Sequence, residues 1–539
     1  MLNKAKKSAA DKIEYIKNLS IAAKLTLLLM TVVTAVIFVL IFSNIISYEL
    51  SHAYNWDSPL YWSVGRGMLN GLKPYMDLYE NKSIGVFLIS ALSFALTDDT
   101  IICNIVSIIA ILMIAIIPVL MVMENTRHAD HTKNSDRVVI RYAVCYVLVL
   151  LMGLMIAVFS EVRSGGFQSE AIGAAFSLLY IFLIKKLNHV KIRRKRIILT
   201  AAAALSLCCA VMLKEPFLLV SVFGALLFVD DFMDFLKSIL LTCAAGGVIF
   251  MVVLAVIGVL VPYFTVYIKR MFETRLARGS VFSRGFNVFK LFQDIREFSG
   301  LLCILLLAFI LLSLLRAFIN RKSFARFAVE IVKIAAAMMT ASFCVGLGGQ
   351  YFNHHYIFAV PIYCAFVVYG GTFLFEFKLE RSAMTAVPAL FAIVVMIASF
   401  MNIGISYRYS QTEEFDTLKA KAEYVDSLLD FYGIERYQFI GFNEDEEFFG
   451  LTKHSPQGPV FVQDPVNFVS KNTWFYQRFA EQVNECDMII LDYYSAPGTR
   501  ELVEEAIDED FTDTPAREYD IDPPDDFDVQ IYYRTSKFG

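Results

Sequence analysis

Between residues 55 and 82 the chain reads NWDSPLYWSVGRGMLNGLKPYMDLYENK, directly after its first strongly apolar run. Asp57, Arg66, Asp77, Glu80 and Lys82 stand in this stretch, interleaved with Trp56, Tyr61, Trp62, Tyr75 and Tyr79. A carboxylate held at the edge of an apolar medium can take a proton from a hydroxyl, and cationic side chains can steady an anion that forms beside it. The same residues also suit a plain connector, with aromatic anchors at an interface, solvated charges, and Asp57 favouring a helix N-terminus.

Asp57-Ser58-Pro59 has the composition of a helix start, because Ser58 can cap free N–H groups and Pro59 has no N–H to lose. Leu60, Val64 and Met68 recur at helical spacing and Leu72 continues the stripe, while Ser63, Arg66 and Asn70 take another face. Gly71 and Pro74 end the pattern. A short helix lying on a membrane surface is expected, anchored by Trp56, Tyr61 and Trp62. The following run, SIGVFLISALSFAL (83 to 96), is too short to span a bilayer and is expected to stay on the same side, in the interface or re-entering.

These elements sit in a chain of 539 residues that is 57% hydrophobic and 19% charged, with a mean hydropathy of +0.56. Such values lie outside soluble usage and indicate an integral membrane protein. Apolar runs at 24–46, 101–123, 138–159, 170–186, 197–213, 217–230, 238–261, 299–316, 330–348, 356–375 and 384–405 suggest a polytopic α-helical membrane protein of about 11 transmembrane helices. The nine cysteines form no disulfide or metal-binding pattern, eight of them lying in or beside apolar runs and Cys486 in a polar region. Lys4, Lys6, Lys7, Lys12 and Lys17, then RHADHTKNSDRVVIR, KKLNHVKIRRKR, RAFINRKSFAR and FKLER, fall on one side, which the positive-inside rule makes the cytoplasm. The N-terminus is then cytoplasmic. Residues 47–100, 160–169, 214–216, 262–298 and 349–355, and everything after about 406, are extracytoplasmic. Two domains follow: a membrane domain over 1–405, whose first external loop is 47–100, and an acidic extracytoplasmic domain over 406–539. Loop 262–298 breaks the rule by being basic and Phe-rich, and suits a membrane-associated helix.

The order of the first loop, D57SPLYWSVGRGMLNGLKPYMD77 followed by E80NKSIG, resembles that of GT-C superfamily glycosyltransferases of the protein O-mannosyltransferase and aminoarabinose-transferase branch. There an Asp precedes an aromatic and Gly-rich helix, a Pro-Tyr-x-Asp turn and a Lys-Pro-Pro-like stretch, whereas this chain has Ser83-Ile84 after Lys82. FQSEAIGAAFSLLYIFL, LKEPFLLV and NHHYIFAVPIYCAF extend the similarity to Glu170, Lys214, His354, His355 and Tyr356. The resemblance implies a GT-C-like fold and an inverting glycosyltransferase that moves a monosaccharide from a polyprenyl-phosphate donor to an envelope glycan, lipid or protein. It implies Asp57 as the base; Lys82, Lys214, Arg66 and Arg163, all expected near external helix ends where a lipid phosphate would sit, are candidate partners of that phosphate, with Lys82 and Lys214 also in the motif context. Arg66 and Arg163 equally suit snorkelling to headgroups. Glu170, Asp77 and Glu80 are further substrate-site candidates, as are His354, His355 and Tyr356. Glu170 also suits a helix cap, and adjacent His354 and His355 diverge by about 100° on an ideal helix, which disfavours a shared metal. No cofactor is required by the sequence, although a divalent cation is compatible with it.

The tail has a helical stripe in TEEFDTLKAKAEYVDSLLDFYG, ended by Gly433, then strand-like RYQFIGF, GPVFV, CDMIILD and VQIYYR, with helices near 472–484 and 499–507. A C-terminal α/β domain is expected, with no Gly-rich phosphate loop. A transporter or flippase of a lipid-linked glycan, or a membrane-anchored assembly protein, are the alternatives. The first expects ionisable residues at the bilayer midplane and internal repeats, and the second leaves the Asp57 loop without purpose. Membrane lipids are expected partners, and no nucleic-acid module is recognisable.

Overall fold

The structure, a computed structural model, describes residues 19–126, 136–276, 287–319, 324–347, 351–376 and 412–539, apart from 442–443, 464–467, 469, 495, 497 and 525, together with 393, 396–397 and 399. Its helices are α1 (Ile21–Leu50), α2 (Ser58–Leu69), α3 (Ile84–Thr97), α4 (Ile101–Thr126), α5 (Asp136–Ser164), α6 (Ser169–His189), α7 (Arg193–Leu213), α8 (Phe217–Leu226), α9 (Phe232–Ile257), α10 (Lys269–Leu276), α11 (Val288–Phe298), α12 (Gly300–Ile319), α13 (Phe324–Gly346) and α14 (Val360–Glu376). Among the described residues, eight helical segments are long and apolar enough to cross a bilayer. The run at 384–405 lies outside the described residues except for 393, 396–397 and 399, and Arg278 and Arg284 of the basic loop lie outside them as well.

Long unbroken aliphatic runs make these segments helical, and position in the bundle decides their surroundings. α1 leaves Ile21, Leu25, Leu28 and Leu29 exposed, as a helix facing lipid does, whereas the segment Asn353–Phe373 is buried throughout its apolar window and forms the centre. α8 is only ten residues long, yet its flanks reach both polar ends of the bundle. Lys214 on one side pairs with Glu170, and on the other Phe228 O and Val229 O accept from Asn188 (3.5 Å) and Lys333 (2.6 Å).

α2 is enclosed by protein rather than laid open on a surface. Residues 58 to 65 are all buried, Tyr61 and Trp62 completely, and only Trp56 keeps the exposure of an interfacial anchor. Two close approaches explain this. A Cβ on Gly65 would sit 2.5 Å from Ser90 Cβ, so the glycine admits α2 onto α3; Gly450 of the tail meets the backbone of Pro59 in the same way, at 2.6 Å. The tail therefore covers part of the face opposite α3.

The tail is an α/β unit. α15 (Thr412–Tyr432) ends at Gly433 in a left-handed turn (φ +66). It is followed by β1 (Arg436–Ile440), β2 (Ser455–Pro456), α16 (Trp474–Glu485), β3 (Met488–Leu491), α17 (Thr499–Asp510), β4 (Phe511–Thr512) and β5 (Gln530–Arg534). The sheet order is β2-β1-β3-β5-β4, with β1 parallel to β2 and β3, and β5 antiparallel to β3 and β4. GPVFV is not a strand: Gln482 satisfies both backbone groups of Val460 (2.9 and 3.0 Å), replacing a ladder there. Phe415 stacks on His52 (4.2 Å) and meets Trp62 edge-on (6.2 Å), so tail and bundle share one core.

Candidate active site

The loop leading into α2 and the turn leading into α6 meet beside Lys82. Asn55 is the hinge of this meeting, because its Nδ2 donates to Ser164 O (2.6 Å) while its Oδ1 accepts from Gln168 Nε2 (2.8 Å) and from the Asp57 N–H (3.0 Å). Asp57 occupies the N-cap position of α2 without capping it. Its Oδ2 accepts instead from Lys82 Nζ (2.6 Å) and Gln168 Nε2 (3.2 Å). Ser58 does not cap either: its hydroxyl donates to Phe167 O (3.0 Å) and accepts from the Asn55 N–H (3.1 Å), which ties the two loops together.

Lys82 Nζ also donates to the Tyr61 hydroxyl (2.8 Å), which donates onward to Gln168 Oε1 (3.0 Å). Burial pushes the Tyr61 hydroxyl well up, so it remains neutral and can relay this bond. Burial disfavours the Lys82 ammonium too, but Asp57, Glu170 and Glu80 outweigh it and raise its pKa. Burial would raise the Asp57 carboxyl, yet the adjoining Lys82 charge and hydrogen bond prevail and hold it well below the ordinary carboxylate range. The resting site therefore contains an ionised pair, with the Asp57 side chain 25% exposed and Lys82 8%.

A second pair lies behind the first. Glu170, fully buried in the first turn of α6, is 3.0 Å from Lys214 Nζ and accepts from Ser169 Oγ (2.8 Å). His354 and His355 approach Glu170 from the 3-10 turn Asn353–Ala359, their rings edge to face at 4.6 Å. One ligand atom from each of Glu170, His354 and His355 lies within 4.8 Å of the others, so these three could hold a metal ion. The divergence expected of neighbouring helical histidines does not decide the matter, because Glu170 provides the third corner from another helix. Beside Lys214, Glu215 Oε1 accepts from Tyr263 and Tyr267 (2.8 and 2.9 Å), both on a π-helical turn, which fastens the start of the basic loop to this site.

Asp57, Lys82, Glu170, Lys214, His354 and His355 are thus brought together, with Glu80 within electrostatic reach of Lys82. The other candidates are committed elsewhere. Arg66 pairs with Asp98 and covers Phe94 (4.0 Å). Asp77 closes a turn by accepting from the Lys73 N–H (2.8 Å). Arg163 pairs with Asp294 of α11 (2.6 Å), and Tyr356 packs on Tyr351 (6.3 Å) near that pair rather than near Asp57. Sequence reasoning missed Asn55 and Gln168 and read Tyr61 as an anchor. The available signal was proximity, since Asn55 stands just before Asp57 and Gln168 just before Glu170.

No protein-family model and no curated protein matches the sequence. Among solved structures, the chain is similar to ArnT from Cupriavidus metallidurans bound to undecaprenyl phosphate, with a TM-score of 0.52 and 12% identity over 94% of this chain and 98% of that one. The apo state of the same protein gives a TM-score of 0.51, again at 12% identity. At that identity the likeness concerns the fold, and it runs through bundle and tail alike. The chain is a polytopic membrane protein that shares the fold of the ArnT structures along nearly its whole length.

Proposed function

We propose that the protein is an inverting glycosyltransferase that moves a monosaccharide from a polyprenyl-phosphate donor to an acceptor hydroxyl on the extracytoplasmic face. The observation that carries this reading is the buried Asp57–Lys82 pair at 2.6 Å, with the Glu170–Lys214 pair beside it, in a fold shared with a protein whose structure holds undecaprenyl phosphate. The orientation follows the positive-inside distribution, with the N-terminus cytoplasmic and the tail outside.

In the resting pair Asp57 is too acidic to be an efficient base, because general-base catalysis is best served by a pKa near the working pH. A donor phosphate claiming Lys82 removes the charge that depresses Asp57, whose remaining burial then raises it. Donor binding would thus switch the base on. The acceptor oxygen attacks the anomeric carbon from the face opposite the phosphate, and its proton passes to Asp57. The bond from that carbon to the phosphate oxygen breaks, and the electron pair leaves on the lipid phosphate beside Lys82 and Lys214. Glu170, His354 and His355 would hold a divalent cation if one is used, and it would add positive charge at the leaving phosphate.

The test is transfer of radiolabelled sugar from a panel of polyprenyl-phosphate sugars to native envelope acceptors, comparing wild type with Asp57→Asn. Label transferred by wild type and lost in the variant is expected. An active donor and acceptor pair processed equally by both proteins would make Asp57 structural and remove the mechanism.

A further inference from the structure

The same end of the bundle contains a second group of buried polar side chains that the mechanism does not use. Glu49, near the end of α1, is 0% exposed, and Glu161, near the end of α5, is 4% exposed. Among the described residues neither has a basic partner. Asn104 of α4, also fully buried, donates from Nδ2 to Glu49 Oε2 (2.9 Å) and to Ala53 O (2.7 Å), which fixes the orientation of its carboxamide. The Glu161 side chain meets that of Glu49 at hydrogen-bond range. Four oxygens of this group, Glu49 Oε1, both of Glu161 and Asn104 Oδ1, are buried without a donor.

Buried carboxylates without compensation are costly, so something positive belongs here. One proton shared between the two carboxyls would serve one oxygen of each and leave the second Glu161 oxygen and Asn104 Oδ1 without a partner. A metal cation can draw on several of these oxygens at once. The donor set is oxygen only, two carboxylates and an amide, which suits a hard cation and disfavours the softer metals that select nitrogen and sulfur.

We propose that Glu49, Glu161 and Asn104 form a binding site for a hard divalent cation, Ca2+ or Mg2+. The site joins three helices at the roots of both loops that build the candidate active site. Glu49 shortly precedes Asn55 and Asp57, and Glu161 shortly precedes Gln168 and Glu170. The bonds from Asn55 to Ser164 O and to Gln168 lie directly beyond it. The cation's role is to hold the two loop roots together, whatever group is transferred at Asp57.

The full-length protein in detergent, freed of metal by a chelator that is then removed, is titrated with Ca2+ or Mg2+. Bound ion per chain and melting temperature are read together. Wild type and Glu170→Gln should each bind an ion and melt at a higher temperature in its presence. Placed in the Glu170→Gln protein, Glu49→Gln and Glu161→Gln should each lose both responses, while ion-free melting curves establish that each variant is folded. Asn104→Asp, which adds a carboxylate, should bind at least tenfold more tightly. Wild type that binds neither ion, or binding retained in both glutamine variants, overturns the proposal. A melting temperature that follows pH and ignores both ions overturns it too, by assigning the pair a shared proton.

Discussion

Lys82 touches Asp57 and Tyr61 at once, so each of its substitutions has a distinct signature. Lys82→Ala leaves a carboxylate without its cation. Removing one partner of a fully buried pair costs about 3–5 kcal/mol, and the 25% exposure of the Asp57 side chain reduces the expectation to ~2 kcal/mol, readable as a lowered melting temperature in detergent. Asp57→Asn keeps the shape of the side chain but removes the proposed base, and transfer should fall by about 10²–10⁴-fold with folding retained. The Asp57 carboxyl is held below its unfolded value, so its stabilisation is present above about pH 4 and is lost as pH falls toward the folded pKa. The melting difference between wild type and Asp57→Asn should therefore be constant near neutrality and close in acid. A difference that instead grew in acid would mean the pair is not formed.

Helix α2 presents Asp57 because it is clamped on both faces, and Gly65 is where the clamp is tightest. Gly65→Ala places a methyl against Ser90 and the Ala91 backbone, an overpacking worth about 1–3 kcal/mol that should also misplace Asp57 and lower transfer. Helix α11 carries a titration of the opposite sign. Burial outweighs Arg163 and pushes Asp294 up to about 6, so the stability it contributes is full below the unfolded value and is lost as pH rises through about 6. Amide exchange over 288–298 should accelerate across that interval in wild type, beyond the intrinsic pH effect, and Asp294→Asn should abolish the step. At this scale the sequence was legible where a local pattern decides the outcome. The start of α2 at Asp57 and Pro59, the stop of α15 at Gly433 and the apolar spans all follow from residues in view of one another. It was not legible where distant segments decide. Arg66 and Arg163 took acids from Asp98 and α11, Val460 took its bonds from Gln482, and α2 was covered by a tail nearly four hundred residues downstream.

The molecule as a whole joins a lipid-facing bundle to a polar tail through one continuous core, and the tail is therefore part of what holds the site. Phe415→Ala removes the ring that packs on His52 and Trp62. It should cost about 3–5 kcal/mol and lower both melting temperature and transfer, whereas an independent tail would leave the bundle's transfer unchanged. The likeness to ArnT at 12% identity shows how little of this architecture depends on particular side chains, while the Asp57–Lys82 arrangement depends on them entirely. The proposed mechanism requires Lys82 to leave Asp57 and hold a lipid phosphate. Its most direct test is equilibrium binding of a polyprenyl phosphate to the purified protein, wild type against Lys82→Ala and Asp57→Asn. Affinity should fall at least tenfold in Lys82→Ala and be kept or strengthened in Asp57→Asn, which frees the lysine; equal affinity in wild type and Lys82→Ala would contradict the account.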